Sequence, residues 1–271
     1  MTLEEYLDRN YSPTSVRGYA NMIGRFRLAL GEKADQASYT EVLGYIGTLR
    51  GQRLHPKTLR NNLFAVKIYF DYLLETGLRK DHPCRHLHLK DRIDRGIVLE
   101  SLYDRERLKE LYDGHRERDK VIVGLLVYQA LTVSEVVGLQ AGDVDLEQGK
   151  IRIRGNRSNR GRVLALGPEQ VLPLYRYLSG RTDGYLFTGD KGRALWTGSI
   201  NRIINRGRAK GDRLLASRIR QSVIHHLLKE GHDVRVVQEF AGHRRASSTE
   251  AYKQTGLEEL KSAIDRLHPL G

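Results

Sequence analysis

Apolar residues recur at three- and four-residue intervals through the first eighty positions, and that spacing confines this part of the chain to helices. Tyr19, Ile23, Phe26 and Leu30 form one stripe, and Leu59, Leu63, Val66, Phe70 and Leu73 form another that stops at Gly77. Ser12-Pro13-Thr14 opens the first of these helices with a capping residue and an early proline, and His55-Pro56 opens the second. Tyr39 to Leu49 is a further helix, and Leu3 to Leu7 reads as a short turn. The expectation is a helical domain over residues 1–80.

From Arg79 to Leu99 the period fails. Pro83 and many basic residues stand there, so residues 81–99 read as a linker. Cys84, His86 and His88 alternate within it, with His82 nearby. Structural zinc sites draw four ligands from separated pairs, so a basic strap along a polyanion is preferred to a metal site, and no metal is expected.

Residues 100–271 form the second domain. Tyr103–Tyr112, Asp119–Ala130 and Ser134–Leu139 read as helices. Asp143–Leu146, Ile151–Arg154 and Val163–Leu166 form a small antiparallel sheet with a hairpin at Gly155–Gly161. Helices return at Gln170–Leu178, Thr197–Arg208, Ala216–Glu230, Val234–Phe240 and Leu257–Arg266. The fold class is mainly α with a small antiparallel β-sheet.

The formal net charge of +13 points to a polyanionic partner, with nucleic acid first, because long-range attraction and counterion release both reward such a charge. Arg17, Arg25, Lys57, Arg60 and Lys67 lie off the apolar stripes and are candidate DNA-facing residues, as is Arg154 in the second domain. The longest apolar run, Val121–Val133, contains Gln129 and is too short to span a bilayer. Acidic residues follow Met1 where a signal peptide needs basic ones, so a cytoplasmic location is expected. A lone cysteine excludes an internal disulfide. Phosphate-binding glycine loops and the G-x-S-x-G elbow are absent.

The chemistry concentrates between Ser217 and Tyr252. The order is Ser217-Arg218-Ile219-Arg220, Arg235-Val236-Val237-Gln238, Ala241-Gly242-His243 and Ser247-Ser248-Thr249-Glu250-Ala251-Tyr252. An arginine, a histidine and a tyrosine together suit metal-free phosphodiester cleavage: the cation and the imidazole hold nonbridging oxygens while the phenol attacks phosphorus. These segments resemble the C-terminal signature of the tyrosine recombinase (phage integrase) family, and most closely its Xer-like members. The helical first domain is similar in helix order to that family's core-binding domain, with Ser12, Thr14 and Tyr19 near its start.

The resemblance implies a core-binding domain followed by an α+β catalytic domain, and site-specific recombination of integration or excision type without a cofactor. It casts Tyr252 as nucleophile, Arg220 on the phosphate and His243 in phosphate binding or acid–base work. It also exposes departures. Thr132 stands where the family has its first arginine, although Glu135 three residues on is retained. Ser217 replaces the first histidine, Gln221 the one that often follows the second arginine, and Asn156 the hairpin lysine. Arg157 and Arg160, with Arg154, are the candidates to restore the missing charge, and His226 reads as structural. Two readings stay open: an active recombinase with an atypical site, or an impaired relative that binds DNA as a noncatalytic or regulatory protein. A topoisomerase of the same chemistry has less support. In resembling proteins the last helix, here residues 257–267, docks on a neighbouring protomer. This implies self-association as a tetramer on DNA, with accessory recombination proteins as further partners.

Overall fold

The computed structural model describes residues 1–92, 97–189 and 192–252. It divides into two compact units, Met1–Asp94 and Arg95–Gly271.

The first unit packs four helices, α1 (Leu3–Asn10), α2 (Pro13–Leu30), α3 (Tyr39–Gly51) and α4 (Pro56–Glu75). Both apolar stripes face inward: Ile23, Phe26, Leu59, Leu63, Val66, Phe70 and Leu73 are all buried in one core. Phe26 lies at its centre, edge-on to Tyr45, Tyr69 and Phe70. The expected turn at Leu3–Leu7 is the start of a true helix. Thr2 and Glu5 close a reciprocal capping box at its N-terminus, and Ser38 and Glu41 do the same for α3.

The expected linker does not begin at residue 81. Cys84 and Leu87 are buried in the first core, and His82 bonds the Lys67 carbonyl through Nε2 at 3.2 Å. Lys67 Nζ donates to the Arg85 carbonyl at 2.8 Å, Arg60 donates to the carbonyls of Leu89 and Asp91, and Arg50 pairs with Asp91. Basic residues of α3 and α4 thus hold this segment down from outside it, and its own Cys84 and Leu87, three positions apart, anchor it in the core. Arg60 and Lys67 are therefore engaged by their own chain, whereas Arg17, Arg25 and Lys57 are exposed. Among the described residues no group of histidine, cysteine and acidic side chains is arranged to hold a metal, and no helix is long and apolar enough to cross a membrane.

The second unit begins with α5 (Arg105–Asp113), α6 (Glu117–Val127) and α7 (Val133–Gly138). Strands β1 (Val144–Asp145), β2 (Lys150–Ile153) and β3 (Arg162–Ala165) follow, and then α8 (Pro168–Leu178), α9 (Thr197–Ile204), α10 (Ala216–Lys229) and α11 (Val234–Ala241). The sheet is antiparallel in the order β1-β2-β3, with Ile151 opposite Leu164 and Ile153 opposite Arg162. Helix α6 is buried nearly all round, as its continuous apolar run requires, and with Ile151, Phe187, Ile200 and Ile219 it forms the core. His226 Nε2 donates to the Tyr103 carbonyl at 2.9 Å, which ties α10 to the start of this unit.

Candidate active site

Arg220 lies in the second turn of α10 and is only 8% exposed. Its guanidinium donates to the Ala130 carbonyl at 2.5 Å and the Ala241 carbonyl at 2.6 Å, which ties α10 to the segment before α7 and to the end of α11. Ala130 presents its carbonyl from the left-handed region, φ 50°, a conformation that costs a β-carbon about 1–2 kcal/mol.

Helix α11 ends in a Schellman motif. Gly242 sits at φ 69° and donates to the Glu239 carbonyl, while His243 N–H reaches back to the Gln238 carbonyl at 3.0 Å. The Gly-His pair thus has a backbone reason: the glycine takes the left-handed turn, and the next residue is swung into the site. His243 Nδ1 meets Thr249 Oγ1 at 2.9 Å. Residues 247–252 are helical and carry Tyr252, 8% exposed, whose ring stacks with that of His243 at a centroid distance of 6.4 Å. Arg220, His243 and Tyr252 come from three separate segments into one buried cluster.

Thr132 does not offer its hydroxyl outward. It is the N-cap of α7, in a capping box with Glu135: its N–H and Oγ1 both donate to Glu135 Oε2, at 2.8 and 2.9 Å, and Oγ1 accepts from the Glu135 N–H. The other carboxylate oxygen accepts from Asn159 Nδ2 at 3.2 Å and from Arg162 at 2.7 Å. The Arg162 and Glu135 side chains are 6% and 1% exposed. Arg162 is the charged residue the sequence reading missed. A signal was available, since it shares the inward face of β3 with Leu164.

None of the arginines expected to compensate is buried in this cluster. Arg154 is paired with Asp143 and bonds Gln140. Arg157 is exposed on the hairpin. Arg160 is exposed too, although its backbone N–H donates to the Gly242 carbonyl at 2.8 Å. Asn156, in the place of the hairpin lysine, accepts from the N–H groups of Ser158 and Asn159 and so builds its own turn. Arg244 donates to the Asn156 carbonyl, and Asn159 forms a β-bridge with His243. The hairpin is clipped onto the histidine loop by backbone, with its exposed arginines at the rim. Ser217 is exposed on the first turn of α10.

Two guanidiniums against one carboxylate leave this cluster electropositive. Burial lowers the pKa of Arg220, with Glu135 opposing the shift. Burial works against ionised Glu135 as well, but Arg162, Thr132 and Arg220 outweigh it and hold the carboxyl below its ordinary range. Burial, then the positive charges of Arg220 and Arg162, push His243 from 6.5 down to about 4, so its ring is neutral at neutral pH. Burial raises the Tyr252 phenol, and Arg220 partly offsets that.

The His243 shift has a stability consequence. The unfolded chain takes up a proton near pH 6.5 and the folded one only near pH 4, so stability is lost as pH falls through that window. After allowance for solvent reaching the ring, the loss attributable to His243 is about 1–2 kcal/mol. Urea midpoints at pH 7 and pH 4.5 are expected to fall less for H243Q than for wild type; equal falls would contradict this account.

Residues 98–258 match the model of the phage integrase family, and residues 3–77 match the N-terminal SAM-like domain of phage integrases. The chain is 30% identical to tyrosine recombinase XerC of Pseudomonas aeruginosa, covering 97% of this chain and 91% of that protein. It is 26% identical to tyrosine recombinase XerA of Pyrococcus furiosus, over 96% and 90%. Among solved structures it resembles XerH site-specific recombinase bound to a palindromic difH substrate, with a TM-score of 0.70 at 20% identity over 94% of this chain and 80% of that one. It also resembles the Tn1549 transposon integrase in complex with transposon right-end DNA, with a TM-score of 0.65 at 15% identity over 98% and 99%. With one family match spanning more than half of its length and relatives aligned nearly end to end, the chain belongs to the phage integrase family of tyrosine recombinases.

Proposed function

We propose that this chain is an active site-specific recombinase that cuts duplex DNA with Tyr252. The observation that carries the reading is the convergence of Arg220, His243 and Tyr252 in one buried, electropositive cluster. Arg220 holds one nonbridging oxygen of the scissile phosphate, and His243 donates to another through the ring nitrogen not engaged by Thr249. Tyr252 Oη attacks phosphorus and the bond to the 5′ oxygen breaks. This leaves a 3′-phosphotyrosine and a free 5′ hydroxyl, which has taken up a proton. The raised phenol pKa keeps Tyr252 protonated at rest, so its proton departs during attack. Cationic side chains carry the charge stabilisation, and the reaction requires no cofactor or metal. Rejoining by a 5′ hydroxyl from a second site reverses the steps and completes recombination.

Arg17, Arg25 and Lys57, all exposed, are the phosphate-tracking residues of the helical unit in this reading. The protein acts on DNA in the cytoplasm and assembles on it as a tetramer through the segment 257–267, which lies outside the described residues, with accessory recombination proteins as further partners. One observation favours the second reading, a noncatalytic DNA-binding relative: Thr132 brings no charge and its hydroxyl is engaged by Glu135.

A covalent-trapping gel separates the two. Wild-type protein and Y252F are incubated with nicked duplexes tiled from the DNA flanking the gene, then run under denaturing conditions. Wild type is expected to form a protein–DNA adduct that Y252F lacks entirely. Shifted complexes on a native gel with no adduct from either protein would support the noncatalytic reading instead.

A further inference from the structure

We propose that Arg162, reaching into the cluster from β3, supplies the phosphate-binding cation that Thr132 cannot, an inference that rests on the proposed cleavage chemistry. Arg162 shares the inward face of β3 with Leu164, and its side chain is almost fully buried. Glu135 grips one nitrogen at 2.7 Å. The same nitrogen lies against Gly242, where an added β-carbon would come within 2.5 Å of it. The guanidinium therefore abuts the residue immediately before His243, from a different element than the lost arginine would have used.

The second observation is an unmet donor. Arg162 Nε is buried and has no hydrogen-bond partner. Leaving such a donor unsatisfied costs about 1–3 kcal/mol, and native structures keep few of them without a reason. An anionic oxygen is the group a guanidinium N–H takes most strongly. Arg162 is thus divided: its two terminal nitrogens are held by Glu135, at 2.7 and 3.5 Å, and Nε remains for a phosphate oxygen. Charge agrees with this, since Glu135 can balance only one of the two buried guanidiniums, and a phosphodiester would bring the missing negative charge. The division also accounts for Glu135, which is retained although the arginine three residues before it is gone.

The test uses the full chain and two readouts. In the trapping gel, R162Q/E135Q is expected to form adduct about 10²–10³-fold more slowly than wild type, the usual effect of removing one oxyanion donor. Adding T132R to that variant is expected to recover at least about tenfold, and the exposed-strand control R152Q to match wild type. The double variant avoids stranding a buried carboxylate. Should it fail to fold, R162K keeps the ion pair, lacks the Nε donor, and is expected to slow adduct formation about tenfold or more. The second readout is binding of inorganic orthovanadate by calorimetry, which needs no DNA target. Wild type and R152Q are expected to bind it at least about tenfold more tightly than R162Q/E135Q or R162K. If wild type forms no adduct on any duplex, the cleavage reading fails, yet vanadate binding that depends on Arg162 still upholds the anion site. Adduct formation or vanadate binding indifferent to the Arg162 variants, or no vanadate binding by wild type, overturns it.

Discussion

R220K is expected to remain folded but lose adduct formation by about 10²–10³-fold, whereas R220A is expected to lose both activity and stability. The difference follows from the two jobs of one side chain. Structurally, Arg220 donates to the carbonyls of Ala130 and Ala241, and both bonds are buried. Alanine would orphan two buried acceptors and leave a void, at about 3–5 kcal/mol in total. In a domain of this size that lowers the melting temperature by roughly 6–20 °C. Lysine keeps a positive charge and enough length to reach one carbonyl, so its thermal loss should be less than half as large. What lysine cannot do is hold two carbonyls and still present a fixed donor to a phosphate, because its ammonium is a single point rather than a fork. Melting curves read the first job and the trapping gel reads the second. An R220K protein that cuts DNA at a rate near wild type would dismiss Arg220 as a phosphate ligand.

The parts of this molecule that were legible in its sequence are those where local pattern and tertiary role coincide. The stripes through α2 and α4 name the core of the first unit, because the same side chains that set the period fill the interior. Ala241-Gly242-His243 was legible as chemistry, and its Schellman geometry explains why those residue types stand together. Residues 81–92 were misread because net charge and a proline outweighed two apolar side chains, Cys84 and Leu87, that hold the segment in the first core. The hairpin is less legible for a related reason. Arg157 and Arg160 occupy the loop where a charged group was sought, but a turn places its side chains at the rim, and Arg154 is drawn off by Asp143. Arg162 lies on a strand, where alternation alone decides direction, and its partner Glu135 is 27 residues away. Ranking it above its neighbours required knowing that β3 runs beside the loop carrying His243.

Glu135 is where the second large effect is expected. Each polar group bonded to its carboxylate is a donor: the Thr132 N–H and hydroxyl, Asn159 Nδ2 and the Arg162 guanidinium. An amide in its place would aim its own N–H groups at donors, and it would leave two buried guanidiniums with no opposing charge. E135Q is therefore expected to destabilise the fold by about 3–5 kcal/mol, the range seen when one partner of a buried ion pair is removed. R162Q alone strands the carboxylate and should be similarly harmful. Combined, the two glutamines can bond each other and no isolated charge remains. The double variant should thus be more stable than the sum of the single losses by at least about 1 kcal/mol. Urea denaturation of the four proteins at pH 7 gives that coupling directly. Additive losses would mean that Glu135 acts mainly as the capping partner of Thr132. Strong coupling would mean that its main structural task is to hold a cation beside His243. The retained glutamate would then mark the position of a replacement charge, and the absence of arginine at position 132 would signal a relocated cation and not a decayed site.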